Sequence, residues 1–503
     1  MHDAMNFAQS LDHAAWMHPN RSSITYGVQH WTVGESAQTS RRIAQLLIQV
    51  GVARGDRVMM VAHNSPYHFL VYIACARLGA VFVPVFWRQS AAQLQEIVNF
   101  IAPRVLVADA EVAALGSMDS PGTLTHFVID DDPLSGPLAP ALANGYLSFT
   151  AAYTPFSGAF LADGDQIGSE DLNQVEYPTG LAALLVTSAC ENAAANMWKR
   201  TAAPDSGSAQ QESSSVAQGS SAPGENSIGG SSSARRCDAG VHAIELTHAN
   251  MWWTARNLRT DIEYSNMETA LVASPMSQFM GFSSAALDVF ASGGHIVLMR
   301  SFDAENTLDV LARTRVTLFF GIAEIWQALV ESTQWSSADL SHLRYVLVGG
   351  TIADYPSPSL VAALGARGLN PITVWGVAEL SASGTLLPWD RGFDHLESIG
   401  YPFMYNQVRI VDSAALPEDP ALPESPSFSE SPAVTGGLVS VGEDALSDVQ
   451  PGEAGELVVR GPAVSRRYWH DEDLTARVYI GSWLRTGARV RVDANGFLWP
   501  VVP

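Results

Sequence analysis

Thr187 and Ser188 follow the apolar run Leu184-Leu185-Val186 and place two hydroxyls at the end of what the pattern predicts to be a strand. Such hydroxyls can donate hydrogen bonds to an anion, and they can equally do no more than cap a strand end. Glu379 closes the run Trp375-Gly376-Val377-Ala378-Glu379 just beyond another predicted strand. Its carboxylate is the ligand type that hard cations prefer, although a glutamate at a strand's C-terminal end is also commonly just solvated. Of the 28 basic residues 27 are arginine, and Lys199 is the only lysine, so a mechanism requiring a second lysine is excluded. Cys75, Cys190 and Cys237 are odd in number, widely spaced and free of a CxxC pair, which argues against a disulfide framework and a thiolate zinc site. No HExxH, GxGxxG, GxSxG or EF-hand loop occurs. The run His470-Asp471-Glu472-Asp473 reads as a solvated loop rather than a metal site.

The elements that must position these groups alternate regularly. Arg41 to Val50 carries apolar residues at helical spacing, Gly51 and Gly55-Asp56-Arg57 make a turn, and Val58 to Ala62 reads as a strand. A helix from Pro66 to Leu78, stopped by Gly79, leads to a strand over Ala80 to Val85, a helix over Ala91 to Ile101 and a strand over Val105 to Ala108. Strands resume at Ala270 to Ala273, Ile296 to Met299, Val316 to Phe320, Tyr345 to Val348 and Thr373 to Trp375. Strands separated by helices imply parallel sheets and an α/β fold. Beyond Glu397 the runs Gln407 to Val411, Gly455 to Arg460 and Gly496 to Trp499 are short and separated by Gly and Pro. Residues 1–396 therefore read as an α/β region and 397–503 as a small β-rich subdomain.

At 503 residues the chain has room for about three compact units of roughly 150 residues each. Hydrophobic residues at 47% against 16% charged exclude global disorder. Locally the balance differs. Residues 201–240 hold 11 serines and almost no large apolar side chain, which predicts a disordered insertion, and Ala414 to Asp448, rich in Pro, Ser and Glu, predicts an extended acidic loop. A net charge of −23 repels a phosphate backbone, so no nucleic-acid partner is expected. The most apolar stretch, Leu70 to Trp87, contains Arg77, Gly79 and Pro84 and suits a buried helix turning into a buried strand better than a membrane span. Met1 to Ser10 lacks the basic and apolar regions of a secretory signal, so the expected setting is cytoplasmic, with no integral membrane segment.

Over nearly its whole length the chain resembles the AMP-forming acyl-CoA synthetases of the adenylate-forming ligase superfamily. Gly55-Asp56-Arg57-Val58, Asn64-Ser65 and Arg77 through Pro84 are similar to the family's opening region. Glu245-Leu246-Thr247-His248-Ala249-Asn250 resembles the segment after its phosphate loop, and Trp375 to Glu379 resembles its aromatic-Gly-x-Thr-Glu motif. Gly455-Glu456-Leu457, Arg460-Gly461-Pro462, Tyr468, Thr475, Trp483 through Gly487, and Asp493 to Gly496 follow in the family order. The resemblance implies two helix-covered β-sheets with a small β-barrel subdomain. It also implies ATP or AMP and Mg²⁺ as cofactors, possible use of CoA, and a carboxylic or fatty acid as substrate. Thr187 and Ser188 would then face phosphate, Trp375 would flank adenine, Gly376 would belong to the same cofactor site and Glu379 would hold the Mg²⁺, with Thr187 and Glu379 as the catalytic candidates. Gln278, within Pro275 to Gly281, stands in the slot of the acyl-pocket gate, and Gly349 and Gly350 would line the acyl channel, where missing side chains leave room. Gln278 reads equally well as a satisfied core group, and the glycine pair as a strand-to-helix turn.

Several positions depart from the family pattern. Ala189, Cys190, Glu191 and Asn192 stand where the phosphate loop has glycines and threonines, and His242-Ala243 where it has Lys-Gly. Glycine lets backbone N–H groups turn onto phosphate, and another side chain at positive φ costs about 1 to 2 kcal/mol. Ala378 replaces a threonine, and Ala488 replaces an aspartate whose bonds to the ribose hydroxyls contribute roughly 1.5 to 3 kcal/mol each. The family's C-terminal lid domain, with its lysine, is expected to be absent, since no lysine follows Lys199. Two expectations result. One is a ligase that activates a carboxylate through acyl-AMP, its autonomous activity impaired and a lid domain or carrier protein supplied separately. The other is a non-catalytic relative that binds an acyl chain or a partner protein.

Overall fold

The computed structural model describes residues 6–132, 135–158, 181–188, 241–283, 285–350, 355–381, 383–392, 395–412, 443 and 446–501. The serine-rich segment 201–240 and nearly all of 414–448 lie outside the described residues.

Three sheets form the scaffold. The first has seven strands in the order Leu147–Ser148, Thr125–Val128, Val105–Ala108, Arg57–Val61, Val81–Val85, Leu181–Ser188 and Val241–Thr247, parallel except for the last pair. The second has nine, in the order Tyr401–Pro402, Thr385–Leu387, Pro371–Trp375, Tyr345–Gly350, Leu318–Ile322, Thr269–Val272, His295–Leu298, Ser22–Tyr26 and Gln29–Thr32. Its six central strands run parallel. The third is a five-stranded antiparallel sheet of Gln407–Val411, Gly455–Arg460, Trp483–Val492, Tyr479–Ile480 and Leu498–Pro500. The expected α/β architecture of two helix-covered sheets with a small β-subdomain is therefore met.

The helix Tyr67–Leu78 is buried from Tyr67 to Ala76, as a helix apolar on every side must be. Its Phe69 lies 4.8 Å from the Phe290 ring, and its Tyr72 lies 6.0 Å from Phe82 of the first sheet and 5.3 Å from Phe282 beside the second, so it fills the space between them. Gly79 ends the helix in a left-handed conformation at φ +69°, which only glycine adopts without strain. Polar ties add to the seam. Asn64 accepts from the Met276 amide at 2.7 Å and donates to the Ser274 carbonyl at 2.9 Å.

Predicted strand ends agree with the structure to within about two residues, but some elements depart further. The helix expected from Arg41 begins at Val33, capped by reciprocal bonds between Thr32 and Glu35. Its first turns carry Ser36, Gln38, Thr39 and Ser40, which hide the apolar spacing; Ser36 and Ser40 are buried but bonded to Ser23 and to the Ala37 carbonyl. The helix Phe7–Met17 and the hairpin Ser22–Tyr26 with Gln29–Thr32 add elements beyond those expected from the sequence. Residues 470–473 are not a loop throughout: Asp471 caps the helix Glu472–Val478 by accepting from the Leu474 amide at 2.9 Å. Among the described residues no helix is long and apolar enough to cross a membrane.

Candidate functional site

The parallel strands Tyr345–Gly350 and Pro371–Trp375 set Gly349 opposite Val374 and Gly350 opposite Trp375. Trp375 is 1% exposed, and its ring lies against Gly384, where an added Cβ would come within 2.8 Å of Cε3 and Cζ3. The chain then passes through buried Gly376 into a single 3₁₀ turn, Ala378–Leu380, which carries Glu379. Glu379 is 8% exposed, and its Oε1 accepts a hydrogen bond from the Tyr468 hydroxyl. Its backbone carbonyl accepts from the Ser465 amide at 2.8 Å.

Tyr468 connects this carboxylate to the first sheet. It bridges Ile244, while the Trp469 amide donates to the Ala243 carbonyl at 2.7 Å and the Glu245 amide to the Arg467 carbonyl at 3.0 Å. The segment thus runs along the outer edge of Val241–Thr247, whose other edge pairs with Leu181–Ser188. There Thr187 stands opposite His242 and Ser188 opposite Val241. His242, where the resemblance expects a lysine, has Nδ1 3.1 Å from Asp471 Oδ2. The structure therefore groups Trp375, Gly376, Glu379, Gly349 and Gly350 at adjoining strand ends and reaches Thr187 and Ser188 through Tyr468 and one strand. Gln278 lies apart, half-buried in a turn beyond the strand Thr269–Val272, two positions along the sheet from Tyr345–Gly350.

The segment Thr247 to Asn250 acts structurally. Thr247 and Asn250 cap the helix His248–Ile262 reciprocally, and Asn250 Nδ2 also donates to the carbonyls of Pro462 and Val464 at 2.9 and 2.7 Å. His248 is buried with neither ring nitrogen bonded among the described residues, and burial pulls its pKa down to about 4. At the other motif end, Gly487 at φ +69° sits in an irregular stretch of Trp483–Val492. Thr486 donates to the Leu457 carbonyl at 2.6 Å, and Ala488 is 7% exposed in the core. The carboxylate across from this stretch, Glu456, is held by Arg485 Nη2 at 2.8 Å and by the Gly487 amide at 3.3 Å. Asn64, Asn250 and Tyr468 stand in segments that follow the family order, but no spacing in the sequence announces the partners they bind.

One further cluster, His63, Asp109 and Glu111, brings three metal-type donor atoms within 4.8 Å of one another. Arg300 already supplies the positive charge there, with Nη2 2.8 Å from Glu111, 3.1 Å from His63 and 3.6 Å from Asp109. Arg300 pairs with Asp132 as well, and the cluster is an ion-pair tie between the two large sheets.

Residues 11–151 and 243–426 match the AMP-binding enzyme family. A feruloyl-CoA synthase from an Amycolatopsis species is 25% identical over 490 residues, which span 96% of this chain and 75% of that protein. An indoleacetate–CoA ligase from Aromatoleum aromaticum is 23% identical over 497 residues, 98% of this chain and 78% of that one. The solved N-terminal domain of FACL13 from Mycobacterium tuberculosis matches with a TM-score of 0.71 at 17% identity, covering 99% of both chains. The anthranilate CoA ligase AuaEII, solved with anthranoyl-AMP, also reaches a TM-score of 0.71 at 17% identity, over 98% of this chain and 76% of that one. At such identities the structural likeness carries the fold alone, while the family match spans more than half of the sequence. On both grounds this chain belongs to the AMP-binding enzyme family and has the fold of the adenylate-forming ligases' N-terminal domain.

Proposed function

We propose that this protein binds ATP with Mg²⁺ and a carboxylic acid and activates the acid as an acyl adenylate for transfer to a thiol such as CoA. Glu379 carries the proposal: a buried carboxylate fixed at a strand's C-terminal end, where ligands of open α/β sheets bind. The donor chemistry fits Mg²⁺, which takes one or two carboxylates together with substrate phosphates. Bound there, the ion would neutralise phosphate charge. Thr187 and Ser188 would donate hydroxyls to phosphate, the backbone at Trp375 and Gly376 would border the base because the Trp375 ring is packed away against Gly384, and Gly349, Gly350 and Gln278 would border the acyl group. The division into 1–396 and 397–503 belongs to the same reading, although the nine-stranded sheet extends to Pro402.

Ala378, Ala488 and the engagement of His242 by Asp471 favour a second reading, a relative that keeps the scaffold and binds an acyl chain or a partner without nucleotide chemistry. Calorimetric titration with Mg²⁺-ATP to a few millimolar separates the two. The first reading expects saturable binding tighter than about 1 mM, roughly 4 kcal/mol, lost in its Mg²⁺-dependent part in Glu379→Gln. Undetectable binding by the wild type would remove the first reading and leave a scaffold that has lost its nucleotide.

A further inference from the structure

Glu379 is held twice by one stretch of chain. Its carbonyl accepts from the Ser465 amide at 2.8 Å, and its side chain accepts from the hydroxyl of Tyr468, which is 89 residues away in sequence and 6% exposed. Tyr468 is itself fixed. Its amide donates to Thr475 Oγ1 at 3.0 Å, it bridges Ile244, and its ring packs 6.2 Å from that of Tyr479, whose hydroxyl meets Ser465 Oγ at 2.5 Å. Carbonyl, serine, two tyrosines and carboxylate thus form a closed loop around Glu379.

A carboxylate can rotate about its last torsion, so a cation that needs one oxygen in one place loses affinity to that freedom. A buried hydroxyl donating to one oxygen stops the rotation and leaves the plane of the group fixed. We infer that Tyr468 is a positioning residue that orients the Glu379 carboxylate toward a divalent cation and keeps it in register with the strand pair ending at Thr187 and Ser188. The inference rests on the reading of Glu379 as a cation ligand.

The test uses the full chain, titrated with ATP in Mg²⁺ and again in EDTA. Tyr468→Phe should lower the Mg²⁺-dependent gain in affinity by roughly 10- to 100-fold, while the affinity in EDTA stays within about twofold of wild type. A merely structural tyrosine would lower both together or neither. If Glu379→Gln abolishes the gain and Tyr468→Phe keeps it, the positioning role is overturned and the ligand role stands. If Glu379→Gln keeps the gain, or the wild type has none, the ligand role falls and the positioning role with it. Should Tyr468→Phe fail to fold, the wild type still decides. Adding Mn²⁺ should perturb tyrosine near-ultraviolet absorbance in the wild type and leave Glu379→Gln unchanged; no perturbation in the wild type overturns the inference.

Discussion

His68 and His248 are buried, and desolvation of the charged imidazole brings each to a pKa of about 4, against 6.5 for an ordinary histidine. The unfolded chain therefore binds more protons than the folded one between these values. Stability from each histidine is fully present above pH 6.5 and is lost as pH falls toward 4, by at most about 3 kcal/mol per residue. The urea midpoint should drop between pH 7 and 4.5, and His248→Leu should flatten part of that slope; equal slopes in the two proteins would contradict the assignment. What the sequence made legible at this scale depends on distance along the chain. Trp375, Gly376 and Glu379 are close neighbours, so their motif is visible as a unit, and the strand register then brings Gly350 to Trp375. Tyr468 stands in the family order, but its pairing with Glu379 has no such signature, because the two are 89 residues apart and only the fold makes them neighbours.

Apolar runs reveal strands because parallel strands are buried on both faces, as Val81–Val85 is. Trp483–Val492 hides its strand character: Arg485, Arg489 and Arg491 break its apolar pattern, and the buried Arg485 is paired with Glu456. Close approach of elements is likewise invisible in sequence. Gly400, at φ +79°, precedes the strand Tyr401–Pro402, and an added Cβ there would lie 1.8 Å from the Leu386 carbonyl oxygen. Gly55 has a similar φ of +84° but open space around it. Gly400→Ala should therefore cost about 3 kcal/mol or more, against about 1 kcal/mol for Gly55→Ala. Thermal melts of the two variants check this, and equal melting temperatures would mean that the backbone at Gly400 yields cheaply.

Across the whole molecule, seven registered residue pairs join Leu181–Ser188 to Val241–Thr247 and so fix both ends of residues 189–240. Shortening a segment with pinned ends changes its closure entropy by only about 1 kcal/mol. Deleting 201–240 should thus leave the melting temperature within a few degrees, and a large drop would show that these residues pack against the fold. The α/β class was legible because strands alternate with helices, but membership of the sheets was not. The hairpin at residues 22–32 looks local and is not: Ile24, Thr25 and Tyr26 pair with Ile296, Val297 and Leu298. Synthesis from the N-terminus makes this a matter of time. At roughly 5 to 20 residues per second, the hairpin emerges about 15 to 55 s before the strand that receives it. Throughout that wait its outer edge is unpaired, so the ribosome, and whatever holds nascent chains there, must keep it from neighbouring copies until the second half of the protein arrives.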